Sequence, residues 1–284
     1  MPVLTALWGI GLLTVASLSL MWTGNVSYQL ARNALEVASI NAISEAVIHR
    51  TILGLIDRRR DKAWRSDGVV QHFTFAGQAI NLIVQDELGR IDLNSADAGL
   101  LTGLFRSVGL SSEQAGGMVD KILDWRESTP LKHANGAKEQ DYRLAGLPYG
   151  PRSGPFQSVE ELVLVMGMTP ALFAQVAPAL TVYSSQQFIV PEVAPREALL
   201  ALPEMDPTRV ASIIAERTSR PFSGPSNDPA GPQSAISLAG RAYAIRAEIS
   251  RPRGAAVREA VIRLTDNPAQ PYLMLSWKSV ASIR

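Results

Sequence analysis

The 284-residue chain contains no cysteine. That removes disulfide scaffolds, thiolate zinc sites, iron–sulfur centres and cysteine nucleophiles together. An excess of either charge is also missing: 27 Lys and Arg face 26 Asp and Glu, a formal charge of +1. Such a balance leaves no whole-chain footprint for nucleic acid or an anionic surface. Histidine is scarce, and His49, His72 and His133 lie far apart in unrelated elements. No Gly-x-Ser-x-Gly, P-loop or His-Glu-x-x-His sequence occurs. The adjacent acids Glu160 and Glu161 point to different sides of an expected helix and read as first-turn charges favoured by its dipole. Trp125, Tyr142, Tyr149 and Phe156 offer a groove on paper, but core or loop packing is the simpler reading. Catalysis has no constellation to stand on, and the chain reads as non-enzymatic.

The most informative absence is local. From Met1 to Ala31 there is no charged side chain at all. Within that run Val3 to Trp22 is apolar, and roughly 20 residues at about 1.5 Å each cross a bilayer core. A cleaved secretory signal is the main rival, yet no basic segment precedes the run and no small-x-small site follows it. Residues 1–24 are therefore expected to be a retained transmembrane helix. Beyond it Ala31, Ala34, Ala38, Ala42 and Ala46 recur at helical spacing, with Ile40, Ile43 and Val47 as a second stripe. No Pro or Gly interrupts residues 25–53. One continuous helix is expected from Pro2 to about Asp61, its amphipathic half spanning 25–62 and its end closed by Arg58, Arg59 and Arg60.

Short alternating runs at His72–Phe75 and Gln78–Gln85, split by Ala76-Gly77, read as a hairpin within 63–92. Residues 93–220 read as short helices: one capped by Ser95 through Leu104, one after Gly109-Leu110-Ser111 to Trp125, then an irregular stretch from Glu127 to Pro155. Ser158 to Glu161 reads as a capping box opening a helix to Met166. Gly167-Met168-Thr169 opens another, and a fainter copy of helix, turn, helix spans Ala194–Arg217. Pro221–Pro232 is a loop or linker by composition. Tyr243–Ile249, Ala256–Leu264 and Tyr272–Trp277 read as a three-strand meander. The order is α+β: a long helix, a sheet interrupted by an inserted α-domain at 93–225, and C-terminal strands in 226–284.

That organisation resembles the minor pseudopilin K family of type II secretion systems. The motifs that carry the resemblance are Leu7-Trp8, Gly89–Asn94, Ile122–Arg126, Gly136-Ala137, Tyr142 and Leu147–Tyr149. They continue through Pro155–Leu162, Gly167–Thr169 and Leu180–Ser184. Each is short; their joint order is specific. The resemblance implies a pilin-like fold with a helix-hairpin-helix-like insertion. It implies a single pass through the bacterial inner membrane, a periplasmic body, and leader removal with N-terminal methylation by prepilin peptidase. A place at the pseudopilus tip with I- and J-type minor pseudopilins follows, with the H type and the major pseudopilin as further candidate partners. Most pseudopilins carry a glutamate at mature position five; here that residue is Thr5, as expected for a subunit with nothing above it.

Relatives of this type also carry acidic clusters suited to calcium, a hard cation needing six or more oxygen ligands. The candidate ligands are Asp124, Glu127, Glu139 and Asp141. The pattern is imperfect, because Lys138 follows Gly136-Ala137 where an acid is usual. Asp124 pairing on its own helix, with Glu139 and Asp141 as solvated charges, is the alternative. A different class, a membrane-anchored helix-hairpin-helix DNA-uptake protein, is weakened by turns lacking a second glycine. It is weakened also by seven Lys or Arg against nine Asp or Glu over residues 93–184. No nucleic-acid partner is expected.

Overall fold

The computed structural model describes residues 2–57, 64–219, 239–251 and 254–280. Helix α1 runs unbroken from Pro2 to Ile56. Its uninterrupted length follows from the absence of Pro after its first residue, Pro2, and of Gly between residues 25 and 53. The observed end lies short of Asp61; Asp57 N still reaches Leu53 O at 3.0 Å. The Arg58–Arg60 closure lies outside the described residues.

The two halves of α1 meet different surroundings. Ile40, Val47, Ile48 and Ile52 are buried, and they pack on Ile80, Leu82 and Val84 of β2 (Gln78–Asp86) and on the strands that follow. Ser44 and Thr51 are buried on the same face, and each hydroxyl donates to the carbonyl four residues back, at 2.7 and 2.8 Å. That local bond removes the cost of hiding a hydroxyl in an apolar seam.

The sheet is antiparallel throughout, in the order β1 (Gln71–Phe75), β2, β5 (Ala242–Arg251), β6 (Gly254–Leu264), β7 (Tyr272–Val280). β1 and β2 form the expected hairpin, turned by Ala76 at φ 49° and Gly77 at φ 74°. A two-residue loop with both residues left-handed matches the twist of the flanking strands. β5, β6 and β7 are the expected meander, each a few residues longer than its apolar run. Asp86 at the end of β2 pairs with Tyr243 near the start of β5. The chain thus leaves the sheet at β2 and returns one strand over, so the intervening helical segment is an insertion between neighbours.

The insertion holds its own core, with Leu101, Leu104, Phe105, Val119, Ile122, Trp125, Tyr142 and Leu180 fully or almost fully buried. β3 (Ile91–Asp92) pairs in parallel with β4 (Leu180–Thr181), closing its first part into a loop. Two-residue strands leave no periodic signal, and this pairing was not expected. α2 spans Ala98–Ser107 and is capped by Asp97, which accepts from Leu100 N at 2.8 Å. Ser95 was the expected cap, but its own N–H is held by the Asp92 carboxylate in the preceding turn. α3 (Ser112–Arg126) begins with a true capping box of Ser111 and Gln114. α4 (Glu139–Leu144) interrupts the stretch expected to be irregular.

At Ser158 the expected capping box does not form. Residues Val159–Leu164 make a 3-10 helix and Ser158 gives no side-chain cap. The reason is Glu161, whose carboxylate is already engaged by Trp125 Nε1 and Gln157 N. α5 (Pro170–Val176) follows, capped by Thr169, then α6 (Arg196–Leu199) and α7 (Pro207–Ser219). The Pro221–Pro232 linker lies outside the described residues.

Candidate assembly site

What the chain exposes, and how firmly its parts are joined, frame the candidate site. Residues Pro2–Ser19 of α1 are apolar and long enough to cross a membrane, with none of the segment buried. Val3, Leu4, Leu7, Trp8, Ile10 and Leu13 are among the exposed large side chains there, and Tyr28, Leu30, Leu35 and Val37 extend the exposure. Up to Ser39 no described residue of α1 is buried. At about 1.5 Å per residue, this half projects for roughly 57 Å beyond the folded body. The alanine stripe lies outward: Ala31, Ala34, Ala38 and Ala42 are exposed, whereas the Ile40 and Val47 stripe meets the sheet.

Thr5 sits in the first turns of α1, which holds no acid in its opening turn. Its hydroxyl donates to Pro2 O at 2.9 Å. The side chain at position five is therefore neutral and satisfied within its own helix, and needs no neighbour to complete it.

At the other end the insertion is bound to the sheet by specific polar ties. Arg241 and Asp86, both almost wholly buried, meet at 2.7 Å at the root of β5. Burial pushes the Asp86 carboxyl up to about 6, against the pull of Arg241 and the Leu88 N–H. Burial raises Glu87 as well, opposed by Arg90. Gln85 Nε2 donates to Val193 O, Arg263 to Tyr183 O, and Lys278 pairs with Glu160 at 2.7 Å. Arg65 donates to Arg217 O, while Arg217 donates to Ala194 O and Pro191 O.

The short motifs converge on one polar lock. Asp92, 1% exposed, accepts from Asn94 N at 2.8 Å and from Ser185 N at 2.8 Å, so one carboxylate binds both ends of the loop closed by β3 and β4. Asn94 and Phe156 exchange two bonds, at 3.0 and 2.7 Å. Arg126, at the end of α3, donates to Leu93 O and Ala96 O. Trp125 stacks on Phe156 with ring centres 6.0 Å apart and donates to Glu161 at 3.0 Å. Tyr142 packs beside Trp125, and its hydroxyl accepts from Met166 N. At Gly89 a Cβ would lie 2.4 Å from Val193 O, so only glycine fits against the turn that ends at Val193. These residues hold a fold; the aromatic group packs as core, with Tyr149 at its margin.

The four candidate calcium ligands are placed apart in role. Asp124 is fully buried and its Oδ1 accepts from His133 Nδ1 at 2.9 Å. Glu127 is the C-cap of α3. Glu139 pairs with Arg143 on the surface, and Asp141 caps α4 through Lys138 N and pairs with Lys132. The Lys138 backbone N–H, and after it the Lys132 hydrogen bond, hold Asp141 below the usual carboxylate range. Among the described residues no group of three or more His, Asp or Glu is arranged to hold a metal. This donor set does not fit a calcium ion, which needs at least six converging oxygens.

Gly109 and Gly167, at φ 97° and 91°, turn the two helical hairpins toward one shallow groove that Glu113 and Lys121 both line. One acid and one base there make no phosphate footprint.

Comparison with known proteins agrees with the geometry. Residues 80–185 match the family model described as type II secretion system (T2SS), protein K. No curated protein matches the sequence. Among solved structures, a chain of the GspK-GspI-GspJ complex from enterotoxigenic Escherichia coli is similar at a TM-score of 0.61 and 16% identity, over 90% of this chain and 99% of that one. The likeness establishes the fold: α+β, with a long helix, an antiparallel sheet and a helical insertion. The matched segment runs from β2 through the Asp92 lock to Ser185, so it contains nearly all the motifs just described. By that match, residues 80–185 are similar to the type II secretion system protein K family.

Proposed function

We propose that this chain is a minor pseudopilin at the tip of a type II secretion pseudopilus, starting and capping assembly together with I- and J-type partners. The observation that carries the reading is the projecting half of α1. Some 57 Å of helix, apolar in its first part, leaves the body with none of its described residues buried. An exposed apolar length of that size needs lipid or other helices around it. The partners named for the similar complex support I- and J-type neighbours.

The working division of the chain is a membrane helix over 1–24, its continuation to 62, first strands to 92, the insertion to 225 and the closing strands beyond. In this arrangement the body lies in the periplasm, prepilin peptidase prepares the N-terminus, and the inserted domain blocks addition of a further subunit. The H-type subunit and the major pseudopilin lie below. Co-purification of the full-length chain with I- and J-type pseudopilins tests the partnership. Deleting residues 95–220 tests the cap: pseudopilus length or number changes if the insertion terminates assembly, and an unchanged pseudopilus with normal secretion rejects it.

A further inference from the structure

The acid-lined bend after α3 lacks the oxygens for a calcium ion, yet it is not without a cation. Lys138 turns inward, its side chain only 16% exposed. Its ammonium donates to Asp124 O at 2.9 Å and to Glu127 O at 3.2 Å, and lies 3.5 Å from Asp124 Oδ1. The first two are carbonyls from the last turn of α3 and its C-cap, the negative end of the helix, and they have no partner within the helix. The third belongs to a fully buried carboxylate. Three oxygens of partial or full negative charge thus converge on one positive centre, as they would on a hard metal ion.

The rest of the bend is built around the same carboxylate. His133 donates its N–H to Asp124 Oδ1 at 3.3 Å, and its ring Nδ1 lies 2.9 Å from the same atom. Asn135 N donates to Asp120 Oδ2 at 2.9 Å, one turn earlier on α3. At Gly136 a Cβ would lie 1.9 Å from Asp124 Oδ2, so the absent side chain leaves the space the carboxylate fills. The Lys138 N–H then donates to Asp141 Oδ2, which starts α4. One lysine therefore ties the end of one helix to the beginning of the next.

We propose that the Lys138 ammonium is a built-in cation that fastens residues 127–138 to α3, doing in this chain what a bound divalent ion would do in a bend of this design. The chemistry is monovalent and covalently tethered, so the fold of this segment does not depend on calcium. A lysine here also excludes the ion, since its charge occupies the point where metal oxygens would meet.

The test uses the full-length chain in detergent, with hydrogen exchange over residues 127–141 and thermal unfolding, each in excess chelator and in millimolar calcium. The wild-type chain should show the same protection and the same Tm in both conditions. Lys138→Met should lose protection in this segment and about 5 °C or more of Tm, with no rescue by calcium. Lys138→Asp replaces the ammonium by a carboxylate beside Asp124; it should be as destabilised in chelator and regain protection in calcium. Calcium-dependent protection of the wild-type chain, with stoichiometric uptake of the ion, would overturn the proposal. So would unchanged protection in Lys138→Met, or a Lys138→Asp chain indifferent to calcium. None of these readouts involves assembly, so they stand or fall separately from the proposed place at a filament tip.

Discussion

The two halves of α1 are made of similar residues and do opposite work. From residue 40 onward the helix lays Ile40, Val47, Ile48 and Ile52 on the sheet. Before it, Leu30, Leu35 and Val37 are as apolar yet lie exposed; Leu35 is 72% exposed. Hydrophobicity alone does not separate the halves. What separates them is the presence of a complementary strand face, supplied by Leu82, Ile245 and Ile262 for one half and by no described residue for the other. A helix half that gains nothing from its own fold is retained for contacts outside it, and substitutions in the two halves should fail in different assays.

The largest effect is expected from Val47→Asp. Val47 is wholly buried between α1 and the sheet, and an unpaired carboxylate there should cost about 4 kcal/mol or more. Thermal unfolding should show the sheet destabilised or lost outright. A variant that melts like the wild type would mean that α1 does not rest on the sheet as described.

Arg241→Met comes next, because it strands the buried Asp86 charge. Breaking such a pair costs about 3–5 kcal/mol, and here the loss should depend on pH. Asp86 titrates near 6 in the folded chain against 3.8 for the ordinary carboxyl. Between those values the folded state binds more protons than the unfolded one, so this group lowers stability as pH rises from about 4 to 6. Glu87, shifted the same way, adds to the slope. Arg241 opposes the Asp86 shift, so its loss should extend the decline to higher pH. Urea unfolding at pH 4.5 and 7.5 should show the larger deficit at 7.5; equal deficits would mean that Asp86 is not the stranded charge.

Asp92→Ala should cost about 2–3 kcal/mol, since it leaves the Asn94 and Ser185 N–H groups without their shared acceptor in the interior. Because that carboxylate joins two segments some ninety positions apart, limited proteolysis should open the loop between them. Continued resistance would reassign the closure to the apolar contacts around Ile91 and Leu180.

These cases also show what the sequence made legible. The helix, the Ala76-Gly77 hairpin and the C-terminal meander were readable, because each rests on a local period or a local turn. Apolar stripes at helical spacing were visible too, but not which stripe would meet the sheet: Ala38 and Ile40 are equally regular, and only the strand face decides between them. The lock around Asp92 was visible as a set of short motifs without a reason for them, since its bonds run between residues far apart in the chain. At Ser158 the pattern misled, because Glu161 was taken by Trp125 and Gln157 N and no longer available for the reciprocal cap. For the candidate metal ligands the sequence showed residue type and nearness but not pairing: Asp141 meets Lys132 and Glu139 meets Arg143.

The smallest expected effect on folding sharpens the comparison most. Leu35→Asp lies on the projecting half, where a substitution on an exposed helix face shifts stability within about 0.5 kcal/mol. Its Tm should match the wild type. If that half exists to lie among neighbouring helices, a carboxylate at Leu35 must be desolvated whenever the subunits associate. Co-purification with I- and J-type partners should then fall sharply. Paired with Val47→Asp, twelve positions along the same helix, it forms a two-way test: one substitution breaks the fold, the other only the assembly. If Leu35→Asp left the partnership intact, the interface would lie on the body, and the projecting half would serve as an anchor alone.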